Sequence, residues 1–226
     1  MTRPGEIAAR VAEVRGRIAD AARRSGRDAA SVTLVAVGKT YPLDDLLAAH
    51  AAGVTAFGEN RVQEAEAKLP LLPSGSTAHL IGPIQSNKAN RAAKVAAVVQ
   101  TIDSEDLARR LDRAAAALGK RLGAFVQVRL GGEATKSGVE PGEAAALVAA
   151  VRAIPNLEVK GLMAIPPPGD TRPHFAALRK LAESLGLAGL SMGMSDDFEA
   201  AVEEGATLVR IGSAIFGARE TRQETS

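Results

Sequence analysis

Short apolar or β-branched runs alternate with stretches of helical periodicity along the whole chain. The first stretch is helical: Ile7, Val11, Val14 and Ile18 recur at spacings that place them on one helix face. Eight runs then read as strands: Val32–Val37, Ala56–Gly58, Ala78–Gly82, Val98–Ile102, Phe125–Val128, Val159–Ile165, Leu190–Met194 and Thr207–Ile211. Between them lie helical patterns, marked by Leu107, Leu111 and Leu118, by Phe175, Leu178, Leu181 and Leu185, and by Phe198, Ala201 and Val202. Strand–helix alternation predicts βαβ units and a parallel sheet. Eight such units predict an α/β fold, a single (β/α)8 TIM-like barrel with an extra N-terminal helix. A doubly wound open sheet is the alternative. No linker divides the chain, so residues 1–226 are expected to form one domain, with 219–226 as a flexible tail.

A barrel predicts that functional residues follow the strands, at their C-terminal ends. The unusual residues do cluster there. Gly38, Lys39 and Thr40 follow the first strand, and Glu59 and Asn60 the second. Gly82 and Pro83 end the third, Asp103 and Ser104 the fourth, and the fifth leads into a loop holding Glu133 and Lys136. Prolines 166 to 168 end the sixth, Met194 and Ser195 the seventh, Gly212 and Ser213 the eighth.

Composition narrows the chemistry. The 226 residues contain no cysteine, which excludes disulfides, thiolate metal sites and a cysteine nucleophile. Aromatic residues make up 3%, so the core must be aliphatic. A net charge of +2 offers no general attraction to nucleic acid. No run approaches the length of a membrane span and no hydrophobic leader follows the start, so a cytoplasmic location is expected. His50, His79 and His174 are dispersed and form no metal motif; His79, inside a strand, reads as a packed, hydrogen-bonded residue.

Gly38-Lys39-Thr40 after a strand resembles the end of a P-loop, but that motif needs a glycine at position 33, which is Thr. No Gly-x-Gly-x-x-Gly fingerprint follows any strand either. Lys39 is then either a solvated lysine or a Schiff-base lysine made nucleophilic by burial. Ser195 sits at an expected helix N-cap, and it and Gly212-Ser213 offer hydroxyl and backbone N–H groups to an anion. Ordinary capping explains Ser195 equally well, and Asp196 and Asp197 must point away from any anion. Arg210, inside the last strand, needs a partner: an ion pair, or a ligand.

Six ordered motifs carry a resemblance. They are Val35-Ala36-Val37-Gly38-Lys39-Thr40, Phe57-Gly58-Glu59-Asn60-Arg61-Val62-Gln63-Glu64, His79-Leu80-Ile81-Gly82-Pro83-Ile84-Gln85-Ser86-Asn87-Lys88, Gly161-Leu162-Met163-Ala164-Ile165-Pro166-Pro167, Ser191-Met192-Gly193-Met194-Ser195-Asp196 and Val209-Arg210-Ile211-Gly212-Ser213. In this order they resemble the pyridoxal phosphate homeostasis protein family, itself similar to the barrel domain of alanine racemase (the barrel of fold type III). The resemblance implies pyridoxal 5′-phosphate (PLP) held as a Schiff base on Lys39. It implies that Arg210 faces the pyridine nitrogen, that Ser195, Gly212 and Ser213 hold the phosphate, and that Asn60 and Met194 line the pocket, with Ser191 as a further candidate. The family often has Ser before the lysine, where this chain has Gly38, and Asn where it has Arg129. Glu133, Lys136 and Gly138 fit the family segment after the fifth strand.

The same resemblance bears on turnover. Racemisation needs an acid/base on each face of the cofactor. In alanine racemase the second is a tyrosine from the partner subunit's other domain; here the single tyrosine is Tyr41, beside the lysine. An arginine at the pyridine nitrogen disfavours the protonated pyridinium that makes PLP a strong electron sink. The expectation is a PLP-binding protein of intracellular PLP homeostasis without robust turnover, a monomer, with PLP-dependent apo-enzymes as transient partners and neither nucleic acid nor membrane. A PLP-dependent racemase or lyase of narrow specificity is the alternative, and a phosphosugar-type barrel enzyme a third.

Overall fold

The computed structural model describes residues 2–131 and 137–218. Glu133 and Lys136, and the tail expected from Arg219, lie outside the described residues. Helix α1 (Arg3–Arg24) opens the chain. Then come β1 (Thr33–Val37), α2 (Leu43–Ala51), β2 (Ala56–Glu59), α3 (Val62–Lys68), β3 (Thr77–Leu80), α4 (Ala89–Val95), β4 (Val98–Ile102) and α5 (Glu105–Ala117). The second half contains β5 (Leu122–Gln127), α6 (Ala144–Arg152), β6 (Leu157–Met163), α7 (Arg172–Ser184), β7 (Gly189–Ser191), α8 (Phe198–Glu203), β8 (Leu208–Ile211) and the short α9 (Ser213–Phe216).

All eight strands pair in parallel with their sequence neighbours, and β8 closes on β1 through Thr33↔Leu208 to Ala36↔Ile211. The fold is therefore a closed (β/α)8 barrel, and the open-sheet alternative falls. Each predicted strand exists, with ends displaced by up to three residues. The fifth starts three residues early, at Leu122, and the seventh ends three early, at Ser191 rather than Met194. Gly193 is the reason for the latter. Its φ is +90°, and a Cβ there would lie 2.5 Å from the Ala201 Cβ, so the chain must leave the sheet at that point.

Two kinds of packing make the core. One large apolar cluster joins the helices to the outside of the barrel, with Leu34, Ala36, Phe57 and Leu80 from the strands. Buried Val35, Val37, Ala56, Ile81, Phe125 and Met163 stand apart from it and fill the barrel interior. Alternation along each strand produces this division. Helix α1 presents Ile7, Val11, Val14 and Ile18 as its buried face, each contributing about 1.5–3 kcal/mol by leaving water. Arg17 of α1 forks onto Glu199 and lies 4.6 Å over the Phe198 ring, fastening α1 across α8. Among the described residues, no helix is long and apolar enough to cross a membrane.

Candidate functional site

Lys39 lies two residues past the end of β1, after Gly38, in a turn whose next residue, Thr40, has φ +70°. A β-branched residue in the left-handed region costs roughly 1–2 kcal/mol, so the rest of the turn must hold it there. The strands flanking β1 are β2 and β8. Asn60 leaves the end of β2, with its backbone carbonyl pressed against Gly82, where a Cβ would be only 2.2 Å away. From β8 come Arg210 and, one step beyond the strand, Gly212 and Ser213. A Cβ on Gly212 would touch the Val37 carbonyl at 3.5 Å, so this glycine stands beside the strand end that leads to Lys39. Ser195 joins the same corner: its Oγ accepts from the Ala214 N–H at 3.3 Å.

The predicted role of Ser195 as the α8 N-cap is corrected. The helix starts at Phe198, so Ser195 lies too early to cap it. Asp197 turns its carboxylate back onto the Met194 N–H at 2.7 Å. Asp196 is exposed. Ser195 is thereby bonded to the segment after β8, which ties together the two loops expected to hold an anion.

Arg210 is fully buried and sits in the barrel interior. Its Nη1 donates to Ser191 Oγ at 2.7 Å and its Nη2 to the Ala164 carbonyl at 2.9 Å. Among the described residues, no carboxylate is within ion-pair distance of it. Burial pushes this guanidinium down to about 10, with Asp197 pulling the other way. Its partners are neutral, so the ion-pair reading of Arg210 is not what the interior contains.

The bonds continue across the barrel. Ser191 Oγ donates to Gln100 Oε1 at 2.6 Å, and Gln100 Nε2 meets His79 Nδ1 at 2.9 Å. Arginine can only donate, and this sets the direction of every bond that follows. Ser191 accepts from Arg210 and gives its own hydrogen to Gln100. Gln100 then turns its amide N–H to His79, which must accept at Nδ1 and carry its proton on Nε2. Burial lowers His79 to about 4, consistent with a neutral ring. The packed, hydrogen-bonded His79 expected from the sequence is borne out.

Three features were missed in the sequence. Gln100 was legible as a polar residue in the middle of an apolar strand. Ile165, 40% exposed after β6, stands with Met194, 39% exposed after β7, as apolar surface left open at the barrel mouth. The third is Glu59, fully buried at the end of β2 and 2.6 Å from Lys68 Nζ. That contact is poorly angled for a hydrogen bond, so neither Glu59 oxygen has a well-formed donor. Burial pushes its carboxyl up to about 7, against the pull of Lys68.

The residues at and just after the strand ends here thus include a lysine, a buried guanidinium, two serines, a glycine beside β1 and two exposed apolar side chains. That set fits a small planar anion carrying an aldehyde. Gln127, at the end of β5, keeps its Oε1 buried without a donor, a further polar atom at this end of the barrel. A concavity of about 400 Å3 between α1 and the opposite ends of β1 and β2 offers no such set. Its one charged side chain, Arg15, is engaged by the Ala52 and Gly53 carbonyls.

A pyridoxal phosphate homeostasis protein of Pseudomonas aeruginosa is 48% identical over 223 residues, spanning 95% of this chain and 96% of its own. The chain belongs to the pyridoxal phosphate homeostasis protein family. Residues 12–220 also match the sequence profile of the family described as alanine racemase, N-terminal domain. Among solved structures, PipY of Synechococcus elongatus PCC7942 with PLP bound superposes with a TM-score of 0.81 at 39% identity, covering 93% of this chain and all of PipY. Alanine racemase of Bartonella henselae, with covalently bound pyridoxal phosphate, gives a TM-score of 0.73 at 15% identity over 99% of this chain and 61% of its own. At that identity the racemase likeness concerns the barrel alone.

Proposed function

We propose that this chain binds PLP covalently on Lys39 at the C-terminal mouth of the barrel and serves intracellular PLP homeostasis without robust turnover. Ser195, Gly212 and Ser213 would hold the phosphate, Asn60 and Met194 would line the ring, and Arg210, oriented by Ser191, would face the pyridine nitrogen. The observation that carries the reading is the buried, donor-only Arg210 one strand away from Lys39. PLP-bound PipY supports it. When bound, PLP supplies an aldehyde for an amine and an electron sink whose strength depends on protonation of its ring nitrogen.

The residues favour holding over turnover. Arg210 keeps its protons at neutral pH and offers them to an acceptor, so it would keep a pyridine nitrogen unprotonated. The single phenol is engaged elsewhere: Tyr41 Oη donates to the Gly217 carbonyl at 2.7 Å, and its ring packs on Phe216. It is thus withheld as the opposing acid/base. A monomeric, single-domain, cytoplasmic protein that meets PLP-dependent apo-enzymes transiently completes the proposal.

The test is the visible spectrum with added PLP, followed by borohydride reduction and peptide mapping. The label is expected on Lys39, and Lys39→Ala should lose both band and label. A retained band in that variant would overturn the assignment. Rapid α-proton exchange of an amino acid in deuterated water, dependent on Lys39, would instead establish the racemase or lyase alternative.

A further inference from the structure

The turn that carries Lys39 is tied at several of its backbone groups. Gly38 N–H donates to the Gly58 carbonyl at 2.9 Å, and Tyr41 N–H closes onto the Gly38 carbonyl at 3.1 Å. Further ties come from helix α3. Glu64 Oε2 accepts from the Thr40 N–H at 3.0 Å, and Lys68 Nζ donates to the Gly38 carbonyl at 2.7 Å and the Tyr41 carbonyl at 3.2 Å. Glu64 and Lys68 are four apart on α3, hence on one face, with 3.5 Å between their charges. Lys68 is also anchored from below by Glu59, at 2.6 Å.

We propose that Glu64 and Lys68 are positioning residues for Lys39, a two-residue clamp that fixes the peptide groups on either side of it, with Glu59 as the buried counter-charge. The inference rests on Lys39 as the cofactor lysine and deepens that reading. The turn needs such a device because Thr40 is the one non-glycine residue in the left-handed region among those described. Without the ties its backbone would relax towards an ordinary conformation and re-aim the Lys39 side chain. The cost of ordering the turn would then fall on cofactor binding. The clamp also joins the ends of β1 and β2, since α3 grows from the loop after Glu59.

The experiment compares Glu64→Ala, Glu64→Gln and Lys68→Met with the parent protein, first without PLP, by amide hydrogen exchange. Glu64→Ala should accelerate exchange at Thr40 about tenfold, the scale of one lost charge-assisted hydrogen bond. Glu64→Gln, whose amide oxygen still accepts, should stay close to the parent. Lys68→Met should accelerate Tyr41. The sheet-bound Gly38 amide should be unchanged in every variant. With PLP, borohydride-trapped label on Lys39 should form about tenfold more slowly in Glu64→Ala and Lys68→Met, and near the parent rate in Glu64→Gln. If Lys68→Met does not fold, Glu59→Gln/Lys68→Met, which leaves no buried lone charge, takes its place. Parent-like exchange at Thr40 and Tyr41, or equal effects of Glu64→Ala and Glu64→Gln, would overturn the clamp. Absence of label on Lys39 in the parent would overturn the cofactor reading instead, while the exchange data still decide the clamp.

Discussion

Arg210 Nη1 donates to Ser191 Oγ across 2.7 Å, from β8 to β7, inside the barrel. This bond holds a buried charge on a neutral group and passes its orientation on to Gln100 and His79. Ser191→Ala should therefore do two things. It removes an acceptor from a buried guanidinium and a donor from Gln100, costing about 1–3 kcal/mol. It also frees Arg210 to rotate, which should weaken PLP binding. Urea denaturation at unchanged m-value measures the first, a PLP titration the second. Unaltered stability would show that the chain of bonds carries no load.

Arg210→Met separates function from stability. A buried guanidinium among neutral partners costs desolvation, and methionine fills similar space without it. Met leaves the Ala164 carbonyl without its donor, a penalty of about 1–3 kcal/mol that offsets the relief. We expect a thermal midpoint within a few degrees of the parent and a clear loss of PLP affinity. A large drop in the midpoint with affinity intact would make Arg210 a structural residue.

The barrel was legible because strand–helix alternation is a property of neighbours in sequence, and eight repeats of it leave little topological freedom. Lys39 and Arg210 were legible for the same local reason: each is a charge at or near the end of an apolar strand. Ser195 was misplaced because Gly193, by its left-handed turn against Ala201, delays the helix to Phe198. The chain from Arg210 to His79 was not legible at all. Its members come from β8, β7, β4 and β3, and Ser191 and Gln100 are 91 residues apart. Glu59 looked like one more polar residue after a strand; only packing reveals that it is fully buried and that Lys68 is its counter-ion.

Glu59 and His79 make opposite contributions to pH dependence. Burial pushes Glu59 up to about 7 from an ordinary 4.5, so the folded protein holds that proton more tightly than the unfolded chain. Its stabilisation is full below about pH 4.5 and is lost as pH rises through about 7. Burial lowers His79 to about 4 from 6.5, so its stabilisation is present above pH 6.5 and is lost as pH falls through about 4. Each shift corresponds to at most about 3 kcal/mol, and the two windows overlap and oppose. In Glu59→Gln, stability should rise between pH 4 and 6.5. In His79→Asn, whose side-chain oxygen can still accept from Gln100, it should fall between pH 4.5 and 7. Denaturation curves at half-unit pH steps check both slopes; two variants with the same sign of slope would contradict the assignment of either group.

Gly38 supplies the sharpest comparison, because the family the sequence resembles often has a serine there. Gly38 is not in the left-handed region, so a side chain adds no backbone strain. A Cβ would, however, lie 2.7 Å from Glu59 Oε1 and 2.9 Å from Leu46 Cδ2, forcing the carboxylate to move. Gly38→Ala gains nothing in exchange, and should lose about 1–3 kcal/mol to overpacking. Gly38→Ser imposes the same displacement but brings a hydroxyl to a carboxylate that has no well-formed donor. A hydrogen bond to a charged group contributes about 1.5–3 kcal/mol. Serine should therefore exceed alanine in stability by about that amount at pH 8, where Glu59 is ionised. The gap should narrow at pH 5, where Glu59 is protonated and supplies its own hydrogen. Equal stabilities of the two variants at both pH values would mean that Glu59 is not the group beneath the Lys39 turn that position 38 controls.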